Sequence, residues 1–327
     1  MILSDGKASH IGGYFELELP SRRELPHANL KSYQSARAAF LALLRAGRPK
    51  KVWMPKYICN AMLQPLNVAG IEIVWYDLTE ELEVGPDVKI GTDDWLLYVN
   101  YFGVCGEKVE SLLKRLDAEQ VILDYSQAFF SSPHKQALAT IYSPRKFFGI
   151  PDGGLLYSQI PVPNLKVTDT TSFSRMDHLI QRLGGAPESG YASYQHAEAT
   201  LSDCEPRGMS ELSSRILASI DFSSVLVRRK ANFHILHAEL GCDNRLLSGM
   251  NRDEVPLCYP LISQDGDIRS RLISNQIFVA TYWIDALERL GEDWANGMIR
   301  SMLPLPLDQR YRDSDMKRVL AVVLGKK

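Results

Sequence analysis

VILDYSQAFF, residues 121–130, and ATIYSPRKFFGIPDGGLLYS, residues 139–158, decide how this chain is read. VILD is a short apolar run that ends in an acid, the pattern of a strand buried on both faces whose last residue meets a loop. ATIY and GLLYS are runs of the same kind, and Gly153-Gly154 opens the second of them. Open α/β sheets bind ligands outside the carboxyl ends of their strands. Asp124, at a strand end with Gln127 three residues on, is therefore a candidate ligand-facing acid. The competing reading is an aspartate that caps the next turn. Lys146 follows Asp124 by 22 residues, with Ser143 three residues before it. A solitary lysine is usually a solvated surface charge. Here Ile141, Tyr142, Phe147, Phe148 and Ile150 flank it. An amine enclosed among apolar groups loses ammonium stability and becomes a usable nucleophile, suited to imine formation.

Upstream, KVWM (51–54), IEIVWY (71–76) and WLLYV (95–99) alternate with polar or helical stretches, which predicts a mostly parallel sheet covered by helices. Ala36, Ala39, Phe40, Leu43 and Leu44 recur at helical spacing, so residues from about Ser35 to Arg48 form an amphipathic helix with Ser35 as N-cap. A helix near Glu107–Leu116 supplies a crossover between parallel strands. Downstream, Gln159–Gly208 is polar and broken by Pro161, Pro163, Gly184, Gly185 and Pro187; it reads as a linker, partly functional. Helical periodicity resumes from Ser210 to about Leu240. A strand near Pro256–Ile262 follows, then helices near Ile268–Asn275, Trp283–Leu290 and Ser314–Leu324. The expected division is residues 1–208, an N-terminal arm with a large α/β domain, and residues 209–327, a small C-terminal domain.

Lys and Arg total 37 against 39 Asp and Glu, so no global field favours nucleic acid or an anionic membrane, and a small-molecule partner is the default. The five cysteines contain no C-x-x-C pair, which fits a reducing cytoplasm. The first twenty residues lack the pattern of a secretory signal, and no run of about 18 apolar residues occurs. No G-x-G-x-x-G after a strand, Walker A lysine or H-E-x-x-H helix is present, so dinucleotide and zinc chemistry drop away. His234 and His237, three apart on a helix, are not completed into a ligand set by a nearby carboxylate or Cys and read as surface or core residues, with no metal expected.

D-x-x-Q at a strand end and S-x-x-K before a Gly-Gly strand resemble the pyridoxal-phosphate enzymes related to aspartate aminotransferase, and more narrowly the DegT/DnrJ-type sugar aminotransferases. The resemblance extends through MPKYICNAMLQPLNVAGIEIVWYDL (54–78), VNYFGVCG (99–106), RGMSELSSRILASID (207–221) and MLPLPLDQRY (302–311). It implies fold type I: a large domain whose mostly parallel sheet is sandwiched by helices, plus a smaller C-terminal α+β domain. It also implies pyridoxal 5'-phosphate carried by Lys146, its ring nitrogen paired with Asp124 and its ring hydroxyl beside Gln127. A carboxylate in that place is what the chemistry needs, because the cofactor withdraws electrons well only while its ring nitrogen stays protonated.

By the same resemblance QSARAAF (34–40) is the phosphate turn. Ser35, Ala36 and Arg37 start the helix there, with Ala36 and Arg37 donating from their backbones, and Ser143 adds its hydroxyl. An ordinary capped helix is the alternative reading of that segment. The family stacks an aromatic ring on the cofactor at the position of Cys59; Tyr57 and Tyr101 are both candidates to replace it. Asn100 stands where many members have His, the interval from Asp124 to Lys146 is compressed, and the chain is short for the family. The implied activity is ping-pong transamination from an amino acid such as glutamate to a nucleotide-linked keto-sugar, in a homodimer with its active sites at the subunit junction. Two other readings stay open. One keeps the cofactor for dehydration, elimination or C–C chemistry, although Lys146 argues against those family dehydratases that carry His there. The other is a degenerate homologue that binds without turnover.

Overall fold

The computed structural model describes residues 11–326 apart from 22, 243, 249, 252, 292 and 293. The first ten residues of the expected N-terminal arm lie outside the described residues. The strands of the main sheet are β1 (Lys31–Tyr33), β2 (Lys51–Pro55), β3 (Glu72–Tyr76), β4 (Trp95–Val99), β5 (Val121–Asp124), β6 (Ala139–Tyr142) and β7 (Gly154–Ser158). They lie in the order β1-β7-β6-β5-β4-β2-β3. β2 to β6 are mutually parallel where they pair, β7 runs antiparallel to β6, and β1 antiparallel to β7. Every residue of β4, β5 and β6 is buried, which is why these strands read as unbroken apolar runs rather than as alternation. Asp124 pairs with Val99 on one side and Ile141 on the other, so the acid sits at the carboxyl end of the central strands.

Helices α1 (Ala36–Gly47), α2 (Gln64–Ala69) and α3 (Gly106–Arg115) connect these strands. α1 starts where expected: Ser35 is extended and its side chain accepts from the Ala38 amide at 3.1 Å. It ends at Arg48, whose left-handed conformation returns its N–H to the Leu44 carbonyl. Four buried alanines on α1, Ala36, Ala38, Ala39 and Ala42, let it lie close to β7. A Cβ on Gly154 would fall 2.2 Å from the Ser35 carbonyl carbon, so only glycine fits the crossing.

The stretch 159–208 is not a linker. It folds into α4 (Asp177–Gly184) and α5 (Tyr191–Thr200), anchored by a buried ion pair in which Arg175 contacts Asp169 at 2.8 Å. Thr171 and Thr200 accept the remaining Arg175 donors. The helical stretch expected from Ser210 to about Leu240 is divided into two helices, α6 (Glu211–Ala218) and α7 (Phe222–Leu240), because Asp221 caps a new start by accepting from the Ser224 amide. Beyond them come β8 (Tyr259–Ile262), α8 (Ile268–Ser274), α9 (Trp294–Ser301), β9 (Met302–Leu305) and α10 (Asp313–Val323). β8 and β9 form a separate antiparallel pair. The helix expected over Trp283–Leu290 is one short 3-10 turn, Ile284–Glu288. The observed architecture is the expected mostly parallel sheet flanked by helices. No helix among the described residues is long and apolar enough to cross a membrane.

Candidate functional site

A solvent-open cleft with ≈130 Å³ of accessible space lies at the carboxyl ends of the central strands, where an open α/β sheet presents its loops. Asp124 enters it from the end of β5, Ser126 and Gln127 from the turn that follows, and Ser143 and Lys146 from the turn after β6. Ser35, Ala36 and Arg37 bring the start of α1 into the same wall, and Cys59 adds the loop after β2. The cleft therefore collects eight of the ten residues singled out in the sequence.

Three buried polar side chains, Asp124, Gln127 and Asp152, are held by local bonds. Asp124 is buried, and its Oδ1 accepts from the Ser126 amide at 2.8 Å. Gln127, 1% exposed, accepts at Oε1 from the Phe102 amide at 2.6 Å, while its Nε2 has no partner. Phe102 is left-handed, with φ 58°, and its carbonyl accepts from Leu257 at 2.8 Å, so the approach to β8 fixes the strained turn that orients Gln127. Asp152 is fully buried beside Gly153. It accepts from the Ser210 amide at 2.9 Å, the Ser210 hydroxyl at 2.8 Å and the Ser213 hydroxyl. Burial raises its carboxyl above the usual range against those bonds.

The cleft is rich in charge. Arg145 pairs with Glu198 of α5, and its Nε is buried without a partner. Burial lowers the Arg37 guanidinium below the usual arginine range; Glu198 opposes that shift and Arg145 adds to it. Burial likewise raises the Cys59 thiol, which feels Lys146 as an opposing charge and Asp124 as a reinforcing one. One thiol thus senses both the amine and the carboxylate.

Two expectations are corrected. Tyr57 and Tyr101 do not line the cleft: they are fully buried, stacked on each other at 5.5 Å, with the Tyr101 hydroxyl donating to the Tyr57 carbonyl. The aromatic ring in the wall is Trp283, packed edge-on to Tyr57 at 4.7 Å and held in a left-handed conformation. Nor is Lys146 enclosed by its apolar neighbours. The 3-10 turn Pro144–Lys146 sends Phe147 and Phe148 into the core and leaves the lysine side chain exposed in the cleft. Sequence reading also missed Arg145 and Glu198; Arg145 adjoins Lys146, but no local pattern marks Glu198.

The residues fit pyridoxal phosphate. An acid, an amine and a helix start face one space, and the orphaned Gln127 donor needs an acceptor that the protein does not supply. Among the described residues no group of three or more His, Cys, Asp or Glu could hold a metal.

No protein-family model and no curated protein matches the sequence. Solved structures do match it. Spr1654 of Streptococcus pneumoniae, with structures in apo, PLP and PMP forms, superposes in its apo form with TM-score 0.63 at 16% identity, over 92% of this chain and 89% of its own. A DegT DnrJ EryC1 StrS aminotransferase from Brucella abortus gives 0.60 at 14% identity, over 92% and 86%. DesI, solved in the presence of its TDP-sugar product, gives 0.60 at 16% identity, over 92% and 82%. The chain has the fold of these aminotransferases. At such identity the likeness is one of fold, and it agrees with the architecture expected from the resemblance of the D-x-x-Q and S-x-x-K segments.

Proposed function

We propose that this protein is a pyridoxal-phosphate-dependent aminotransferase that moves an amino group from an amino acid such as glutamate to a nucleotide-linked keto-sugar. The observation that carries the reading is the meeting of Lys146, Asp124 and the start of α1 in one cleft. When bound, the cofactor supplies an electron sink that labilises bonds at the substrate's amine-bearing carbon. Asp124 would hold the ring nitrogen in its protonated, charged form. The free Nε2 of Gln127 would donate to the ring hydroxyl, and the backbone amides of Ala36 and Arg37 with the Ser143 hydroxyl to the phosphate. Lys146 Nζ would carry the cofactor and, once displaced, take and return the proton at the reacting carbon. Trp283 offers the ring face that Cys59 cannot.

The DegT/DnrJ neighbours and the TDP-sugar named for DesI support the sugar class of acceptor. A homodimer with active sites at the junction is supported by exposed apolar side chains around α4 and α5, among them Phe173, Ile180, Leu183 and Tyr191, on the segment that sends Glu198 into the cleft. The scattered cysteines, which contain no C-x-x-C pair, agree with a cytoplasmic enzyme. We take residues 1–208 as the cofactor-binding domain and 209–327 as the small one. The test is to load purified protein with pyridoxal phosphate, add glutamate and follow the spectrum. Conversion of the aldehyde form to the amine form, reversed by a nucleotide-linked keto-sugar, is expected; no change with any common amino donor would remove the aminotransferase reading.

A further inference from the structure

Arg37 is the second residue of α1, where the helix dipole is positive and a cation is disfavoured. No acidic residue stands in that first turn to offset it. The side chain is half-buried, and among the described residues it makes no hydrogen bond or ion pair. Its charge senses Glu198, Arg145 and Cys59, all of which line the cleft. Glu198 is already engaged by Arg145, so the cation nearest the helix start has no counter-ion of its own. An uncompensated, partly desolvated charge is costly to keep. Donors without acceptors recur across the same cleft: the Arg37 amide has no acceptor among the described residues, and the nearly inaccessible Gln127 amide group leaves Nε2 unpartnered. The cleft also carries an excess of positive charge, with Arg37, Arg145 and Lys146 facing Asp124 and Glu198.

We propose that the Arg37 guanidinium, and not only its backbone amide, anchors a phosphoryl dianion at the start of α1. The proposal rests on the reading of the cleft as a pyridoxal-phosphate site but concerns the anion itself. A guanidinium offers a planar fork of donors that matches phosphate oxygens two at a time, and the helix start adds its amide. The anion then supplies the counter-charge that the fold withholds.

The experiment compares the full-length protein with Arg37→Gln and Arg37→Lys. Affinities for pyridoxal phosphate and for pyridoxal are measured by absorbance titration, and melting temperatures with and without inorganic phosphate. Arg37→Gln is expected to weaken pyridoxal phosphate binding by roughly 10- to 100-fold and to leave pyridoxal binding unchanged. Phosphate should raise the melting temperature of the wild type and not of Arg37→Gln, with Arg37→Lys in between. Without ligand, Arg37→Gln should melt no lower than wild type, since it removes an unpaired cation. Equal losses for pyridoxal and pyridoxal phosphate, phosphate stabilisation that survives in Arg37→Gln, or a lower melting temperature of that unliganded variant would each overturn the proposal. Arg37-dependent stabilisation by phosphate in a protein that binds neither aldehyde would support the anchor while removing the cofactor reading.

Discussion

Gly154→Ala tests whether the start of α1 is held in place by β7. The added Cβ would lie 2.2 Å from the Ser35 carbonyl carbon, 2.3 Å from its oxygen and 2.4 Å from the Ala36 nitrogen, whereas ordinary contact begins at 3.4 Å. These are backbone atoms, so no side chain can swing aside; strand and helix start must part by about 1.2 Å, the difference between the first figure and the last. Overpacking of this kind costs ~1–3 kcal/mol, and the upper part of that range applies because the obstacle is main chain. Displacing the wall of a binding site by ~1 Å can lower turnover on the order of 100-fold. Urea denaturation, with pyridoxal phosphate titration and amino-transfer rates on the same preparations, gives both readouts. Gly184→Ala is the control, since nothing lies within 4 Å of a Cβ there. Gly154→Ala protein with wild-type stability and wild-type cofactor affinity would refute the close crossing and the phosphate turn built on it.

Asp124→Asn keeps the shape of the side chain and removes its charge; amino transfer should fall by roughly 30- to 4,000-fold, the range for losing one partner of a buried charge pair, as read by the rate of the glutamate half-reaction. Arg175→Met leaves Asp169 buried without its counter-ion, since both side chains are almost inaccessible at 3% and 1%. A loss of ~3–5 kcal/mol follows, measured as a lower urea midpoint. Burial pushes the His27 imidazole below 6.5, with the Phe129 carbonyl opposing. The unfolded chain therefore takes up this proton first as pH falls through 6.5, and stability rises with pH across the window below it. His27→Gln, which can still donate to the Phe129 carbonyl, should lose less stability between a pH above 6.5 and one below it than the wild type does, by denaturant titration at both.

Strands β4, β5 and β6 were legible because burial on both faces makes them continuous apolar words, and the cleft-facing acid because it closes one of them. β1 is only Lys-Ser-Tyr, an edge strand defined by pairing with β7 rather than by its own pattern. β9 carries Pro304, a residue that argues against a strand until a two-stranded pair leaves its nitrogen unneeded. The segment 159–208 looked like a linker because what orders it is a buried Arg175–Asp169 pair, whose partners read as surface charges until the chain folds. Most of the candidate site could be named from the strand-end residues and the family resemblance that they carry. The aromatic wall could not: Tyr57 and Tyr101 were nearer in sequence to the expected position, but their rings fill the core, and Trp283 arrives from more than 130 residues beyond Lys146. The apolar flanks of Lys146 misled for a related reason, since a 3-10 turn separates the direction of one side chain from that of the next.

The claim on which the rest depends is that the Lys146 amine and the Asp124 carboxylate serve one bound aldehyde. Incubation of the protein with pyridoxal phosphate, reduction with borohydride and peptide mass mapping tests it directly. A single phosphopyridoxyl group on Lys146, weakened in Asp124→Asn and absent from Lys146→Ala, is the predicted result. An unmodified chain, or label spread over surface lysines with Lys146 spared, would contradict it.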